Sequence, residues 1–425
     1  MNDMAAPLDQ HVAAVAGLLS PVLAALADPA RAEIVPLVPG GPARGRVLAT
    51  DIASPGPVPP FTNSQMDGYA VRAADIAAAT ASSPVRLRVG LTRAAGDPPG
   101  QHEPGTASPV MTGAAIPAGA DAVVPIELVD PPRFPVSVTA GGDPAAVVSF
   151  SAPVTPGTFL REAGSDISAG DLLLPAGTRL GPAQLAALAS AGRTTAPVRP
   201  RPRVLLISTG HELRAPGETL APGQIHDANT ASLSASLIDS GAEVTCASTP
   251  DDAAALLAVV EAHPDIDLLV TTGGVSAGAF EVVRDALEPR GVVFGHVAMQ
   301  PGGPQGAGLL QRRGRAPLPV VAFPGNPVSA LLSFEMFLRP LLRRAAGLRE
   351  RREVLWLPLA HAIESPQGKH QVRRGMLRDD GSVSVGAPGS HLLHDYARAT
   401  VLVHVPAGIA ALPAGAEVEV WRIDE

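Results

Sequence analysis

Between residues 203 and 346, short apolar runs alternate with stretches of helical spacing, and this alternation limits the possible folds more than any other feature. Val204-Leu205-Leu206-Ile207, residues 243–247, Leu268-Leu269-Val270 and residues 318–323 read as strands, with helical patterns between them. Asn229 is placed to cap one helix, closed by Gly241, and Asp251 to cap another that runs to His263. A further strand is expected at 291–296. Strands that read apolar throughout must be covered on both faces, so the expectation is a doubly wound, mostly parallel sheet. Ligands bind such sheets beyond the carboxyl ends of the strands. Three polar, Gly-containing turns, after Ile207, Val270 and Phe323, would share that edge. The second, Thr271-Thr272-Gly273-Gly274-Val275-Ser276-Ala277-Gly278, leads into helical spacing at Phe280, Val283 and Leu287. Glycines let the backbone approach a ligand, and a helix start presents unpaired N–H groups to an oxyanion. A tight turn that binds nothing satisfies the same pattern.

The chain has 425 residues, room for about three domains. Its net charge of -8 argues against general binding to nucleic acid or an acidic membrane. Cys246 is the sole cysteine, which excludes a disulfide within the chain and a Cys-based metal site and suits a reducing cytoplasm. The opening residues lack a secretory pattern. The apolar stretch 12–27 reads as broken at Ser20-Pro21 and too short for a bilayer. Leu8, Val12, Val15, Leu19 and Leu23 share one helical face, as in a packing helix.

Around the central region the pattern is β-rich. The Pro-rich run from Ser54 to Phe61 marks a boundary, and short strands with dense turns follow from Gly68 to about Leu160. A β segment and a helix, 182–190, precede a stiff linker at 197–202. After Glu353 the alternation returns, for example Val401-Leu402-Val403-His404-Val405, which suggests a small β-barrel or sandwich.

Seven motifs in order then point one way. They are Asn63-Ser64-Gln65-Met66-Asp67-Gly68-Tyr69-Ala70; Met111-Thr112-Gly113-Ala114 with residues 119–124; and Arg161 with Gly164-Ser165-Asp166-Ile167. Further on come residues 208–213, Gly223-Gln224-Ile225-His226-Asp227 with Asn229, the 271–278 turn, and Phe323-Pro324-Gly325-Asn326-Pro327-Val328-Ser329. With them the chain resembles the molybdopterin molybdenumtransferase family, bacterial relatives of the gephyrin E domain. The resemblance implies an α/β multidomain fold in four parts: a helical/β N-terminal domain made of residues 1–55 and 167–198, a β-rich domain inserted at 56–166, an α/β molybdopterin-binding domain at 199–346 and a C-terminal β-barrel domain at 353–425. It also implies a homodimer whose cleft is shared between subunits. The reaction it implies is insertion of molybdenum from molybdate into adenylated molybdopterin, with release of AMP and a divalent cation, Mg²⁺. Handover of the product to molybdoenzymes would follow, with no membrane or nucleic-acid partner.

By matching motifs, the resemblance assigns catalytic carboxylates to Asp67, Asp166, Glu212, Asp251 and Glu281, with Asp67, Asp251 and Glu281 as metal ligands. Substrate would be held by Thr112, Gly113 and Arg161, by Thr209, Gly210, Gly273, Gly274, Ser276 and Gly278, and by Pro324, Gly325, Asn326, Pro327 and Ser329. Arg374 and Ser390 match the pair associated with molybdate. Taken singly, Asp251 reads equally as a helix cap, Asp67 as an Asx-turn residue, and Glu212 as a solvated turn residue. The chain also departs from the family. His296, Gln300 and Gly303 stand where lysines are usual, and Lys369 is the only lysine present. His211, Ser165 and Ala279 replace acids, and Glu281 replaces Asp. Each lost charge-assisted contact removes about 1.5–3 kcal/mol. The alternative is therefore a catalytically impaired paralogue that binds pterin or assists cofactor assembly; tungstate in place of molybdate is a third reading.

Overall fold

The computed structural model describes residues 5–134, 146–275 and 281–424. The first helix, α1 (Leu8–Leu26), runs unbroken through Pro21, so the expected interruption at Ser20-Pro21 does not occur. At this length it is long and apolar enough to cross a membrane. Val15 and Leu19, however, pack into the same core as the α/β sheet. That packing outweighs the one backbone bond a helical proline removes.

The central sheet contains β1 (Arg203–Thr209), β2 (Glu243–Thr249), β3 (Leu268–Thr272), β4 (Val292–His296), β5 (Pro304–Leu310) and β6 (Leu318–Phe323), in the order β2-β1-β3-β6-β5-β4. β1, β2, β3 and β6 pair in parallel. β4 and β5 add an antiparallel edge, so the strand expected at 291–296 lies outside the parallel set. The alternation of side chains divides each parallel strand between two cores. Val204 and Leu206 of β1 face α1, α2 (Ala228–Asp239) and α5 (Pro327–Ser333). Leu205 and Ile207 face α3 (Ala253–Ala262) and α4 (Val282–Leu287). Each such buried aliphatic side chain contributes about 1.5–3 kcal/mol. This double cover explains why the strands read as continuous apolar runs.

The helix caps differ from expectation by two residues and by one. Asp227, not Asn229, accepts from Thr230 N at 2.9 Å to cap α2. Asp252, not Asp251, accepts from Ala255 N at 2.7 Å to cap α3. Both displaced residues are thereby released for tertiary contacts.

Residues 33–36 and 52–53 pair with 195–198 and 172–174, joining two distant segments of the chain. Between those segments sits a six-stranded sheet over Tyr69, Ile76, Leu87, Val148 and Phe150. A second six-stranded sheet occupies the C-terminal region, centred on His370–Leu377, Val401–Val405 and Glu417–Arg422. Its outermost strand, Met299–Gln300, comes from the α/β region and pairs in parallel with His370 and Gln371. The Gln300 side chain is also held, accepting from Gln371 Nε2 at 2.6 Å.

Candidate functional site

Parallel register sets the ends of β1, β3 and β6 level, with Ser208 beside Thr272 and Thr272 beside Phe323. The turns that follow touch through their glycines. A Cβ on Gly273 (φ 90°) would lie 2.8 Å from the Thr209 carbonyl oxygen, and one on Gly325 would lie 3.2 Å from Gly273 Cα. Gly273 N donates to the Phe323 carbonyl at 3.2 Å. Gly274 (φ 60°) would place a Cβ 2.9 Å from Val283 N at the start of α4. Only glycine supports such positive φ angles and approaches without strain. Thr209, Gly210, Gly273, Gly274, Pro324 and Gly325 therefore form one backbone-lined edge. Asn326 caps α5 by accepting from Val328 N at 3.2 Å, Pro327 opens that helix, and Ser329 is buried within it.

Beneath this edge runs a hydroxyl network. Ser208 Oγ lies 3.1 Å from Thr272 Oγ1 and 2.8 Å from Thr230 Oγ1, and Thr230 Oγ1 donates to Asp227 at 2.5 Å. Asn229 Nδ2 donates to the Gly325 carbonyl at 2.7 Å and so fixes the third turn. Above the edge, the Glu212 carboxylate folds over Gly210, where a Cβ would lie 2.7 Å from its oxygens. Asp251 accepts from His211 N at 3.1 Å and lies 2.7 Å from His211 Nδ1. Glu281 stands immediately before α4.

A second group lies in the inserted region. Asp67 accepts from Thr112 N at 2.7 Å and from Thr112 Oγ1 at 2.8 Å. The backbone donor, then the hydroxyl, holds its carboxyl below the usual carboxylate range against a small opposing effect of burial. Gly113 turns with φ 80° and donates to the Ser64 carbonyl at 2.8 Å. Arg161 pairs with Asn63 in adjacent strands and reaches its Oδ1 at 3.4 Å. Asp166 is exposed in the following turn. Among the described residues, no hydrogen bond or ion pair joins Asp67, Arg161 or Asp166 to the α/β edge.

The third group surrounds Arg374, which is 1% exposed. Its Nη2 donates to the carbonyls of Ala387 and Gly389 at 2.9 Å each, so it sits against the turn that carries half-buried Ser390. Nε and Nη1 are buried without partners, and the residue lines a cavity of about 220 Å³ with Asp395 and Arg398. Burial pulls the guanidinium below its ordinary pKa, and Asp395 opposes the fall. A guanidinium with two buried, unpaired donors beside a cavity leaves a positive charge there that no ion pair among the described residues neutralises.

Three family patterns match most of the chain in order. The MoeA N-terminal region (domain I and II) matches residues 6–192, the probable molybdopterin binding domain 205–344, and the MoeA C-terminal region (domain IV) 357–423. The chain belongs to the MoeA family. Molybdopterin molybdenumtransferase 2 of Mycobacterium tuberculosis is 42% identical over 406 residues, 91% of this chain and 94% of the relative. The molybdopterin molybdenumtransferase of Synechococcus elongatus is 38% identical over 401 residues, 92% of this chain and 94% of its own. Two solved MoeA structures from Pyrococcus horikoshii share the fold, with TM-scores of 0.77 and 0.71 at 32% and 26% identity. They cover 98% and 99% of this chain and 99% and 100% of their own.

The resemblance read from the motifs is thus borne out by MoeA membership from end to end. Ser276, Gly278 and Ala279 lie outside the described residues. Of the others, the MoeA motifs bring Asp67 to Thr112 and Glu212 to Gly210, and set Ser390 beside Arg374. Among the described residues they link the Asp67 group to the α/β edge by no hydrogen bond or ion pair. Sequence reasoning gave no role to Ser208, Thr230 or Asp227. A signal was present in Asp227-Ala228-Asn229-Thr230, where an acid precedes a helical pattern by the spacing of a capping contact.

Proposed function

We propose that this protein, a transferase of molybdenum cofactor biosynthesis, inserts molybdenum from molybdate into adenylated molybdopterin and releases AMP. The observation that carries this reading is the meeting of three glycine turns at one sheet edge, beside Glu212. Backbone N–H groups there would hold the phosphates of the pterin nucleotide, whose approach the missing side chains allow. Thr209 and the hydroxyl network below keep those turns rigid. Arg374, with Ser390 beside it, would take the oxyanion as the motif resemblance implies, and ionised Asp67 with Arg161 would close the site from the inserted region of a second subunit. A homodimer is part of this reading, since among the described residues no hydrogen bond or ion pair joins the two groups within one chain. Cytoplasmic action and handover to molybdoenzymes are parts of it too.

No group of three or more His, Cys, Asp or Glu side chains forms a ready-made metal cage among the described residues. Mg²⁺ commonly takes one or two carboxylates and completes its shell with water and substrate phosphate. Asp251 and Glu281, with Asp67 from the inserted region, are the ligands the motif resemblance assigns to that use, and the ion would offset charge on the departing phosphate. Purified protein given adenylated molybdopterin, Mg²⁺ and molybdate should release AMP. Absence of molybdate-dependent AMP, with the pterin nucleotide demonstrably bound, would reject the transferase reading; tungstate supplied in place of molybdate tests the oxyanion.

One observation favours a second reading, a pterin-binding protein without turnover. Gln300 is uncharged and engaged by Gln371, where relatives carry a lysine by the motif resemblance. A Gln300→Lys, Gly303→Lys double variant separates the two. A large gain in AMP release marks a site that lost its charge, and an unchanged silent site marks a different use.

A further inference from the structure

On the opposite side of the sheet from the glycine turns, five arginines converge on a cavity of about 280 Å³. Arg44, Arg46 and Arg179 come from the N-terminal region, Arg199 and Arg201 from the linker into β1. The cavity reaches Pro202 at the amino end of β1 and Gly241 just before β2, so it is distinct from the carboxyl edge. Arg46 is the structural member. Its Nη2 donates to Glu33 at 2.5 Å and to the Arg199 carbonyl at 2.7 Å, which neutralises it and fixes the linker. Arg199 Nε is buried and has no partner. Arg44, Arg179 and Arg201 form no ion pair among the described residues, and Asp239 is the one carboxylate lining the space. Gly45 (φ 77°) sits where a Cβ would meet Arg179 Nη2 at 3.3 Å, so the guanidinium lies close against bare backbone.

Four guanidinium groups without an ion pair among the described residues thus share the cavity with a single carboxylate, Asp239, in a chain whose net charge is -8. Their planar, forked donors match phosphate oxygens two at a time. Leu23, Leu26 and Ile238 supply an apolar wall to the same cavity, and Ile238 is 56% exposed. The volume suits a small molecule rather than a folded partner. We propose that this cavity is a second binding site, for a small phosphate-bearing molecule whose apolar body rests on Leu23, Leu26 and Ile238. Its ligand bridges the N-terminal region and the α/β unit.

Calorimetry on the full chain in chloride buffer, with inorganic pyrophosphate and separately with AMP, tests the site. Saturable binding is expected, weakened at least tenfold in an Arg44→Gln, Arg179→Gln variant. Both side chains are exposed, and an unchanged melting temperature without ligand verifies that variant's fold. An Ile238→Trp variant should shift its emission on binding, which separates this cavity from the glycine-turn edge. Tighter binding of AMP than of pyrophosphate assigns the apolar wall to a ring-bearing ligand; the reverse order assigns the site to inorganic phosphate chemistry and overturns the role given to that wall. No saturable binding of either, binding without the Ile238→Trp emission shift, or an emission shift that survives the Arg44→Gln, Arg179→Gln substitutions overturns the proposed site.

Discussion

His404 lies inside the C-terminal sheet, with its ring 4.1 Å from that of Trp421 and its Nδ1 3.0 Å from His370 Nε2. Burial, and then the neighbouring His370, push its pKa down to about 3. The folded protein therefore keeps His404 neutral at pH values where the unfolded chain protonates it. Its stabilising effect is complete above the ordinary histidine value of 6.5, and is lost as pH falls from there towards 3. By pH 5 the loss from this one side chain is about 2 kcal/mol. Urea midpoints measured between pH 8 and pH 4 should fall less steeply for His404→Gln than for the unaltered protein; parallel curves would refute the assignment. None of this was legible in the alternating pattern around His404, which shows that a residue faces inward but not what it meets there. Asp251 and Asp252 make the same point near the candidate site. Either could cap the helix by type and position, and the tertiary contact with His211 goes to the one the cap does not use.

Turns and strands were more legible than individual contacts, because they follow from constraints that repeat along the chain. Leu205 and Leu206 face opposite cores, so β1 had to be apolar at successive positions and declared itself as a covered strand. The antiparallel strand β5 escaped notice because Gly306 and Gly308 interrupt its apolar run. A Cβ at Gly306 would lie 2.5 Å from Phe294, and one at Gly308 2.6 Å from the Gly291 carbonyl oxygen. Those glycines exist for sheet packing, whereas Gly274 serves the candidate site. Gly274→Ala should force the start of α4 away from the edge, since both its φ of 60° and the 2.9 Å approach to Val283 N oppose a side chain. A drop in pterin-nucleotide affinity of about tenfold or more corresponds to about 1.4 kcal/mol, within reach of that strain. Gly295→Ala is the control, because a Cβ there meets nothing within 4 Å. Equal affinities of the two variants by equilibrium titration would remove the turn from the site.

At the scale of the molecule, the question is how ionised Asp67 and the glycine-lined edge would serve one site. Asp67 is held by Thr112 in an exposed position, although among the described residues no hydrogen bond or ion pair joins it to the edge. A carboxylate set in this way by a backbone donor is held in position for the contact that the proposed homodimer would supply. A two-fold dimer would present it to the opposite subunit's edge, and the same operation would create two equivalent sites. Motifs in sequence order could identify both surfaces but carried no information on which copy of one faces which copy of the other. Mixing two inactive variants separates the possibilities. Asp67→Asn disables the inserted surface and Glu212→Gln disables the edge, so a heterodimer contains one site with both residues intact. Random exchange in equal amounts makes half the dimers mixed, and AMP release should recover to about a quarter of the unaltered rate. Each variant alone should remain inactive in the same assay. If mixed dimers form, as shown by differently tagged subunits purifying together, yet no activity returns, the site is not shared and Asp67 acts within its own chain.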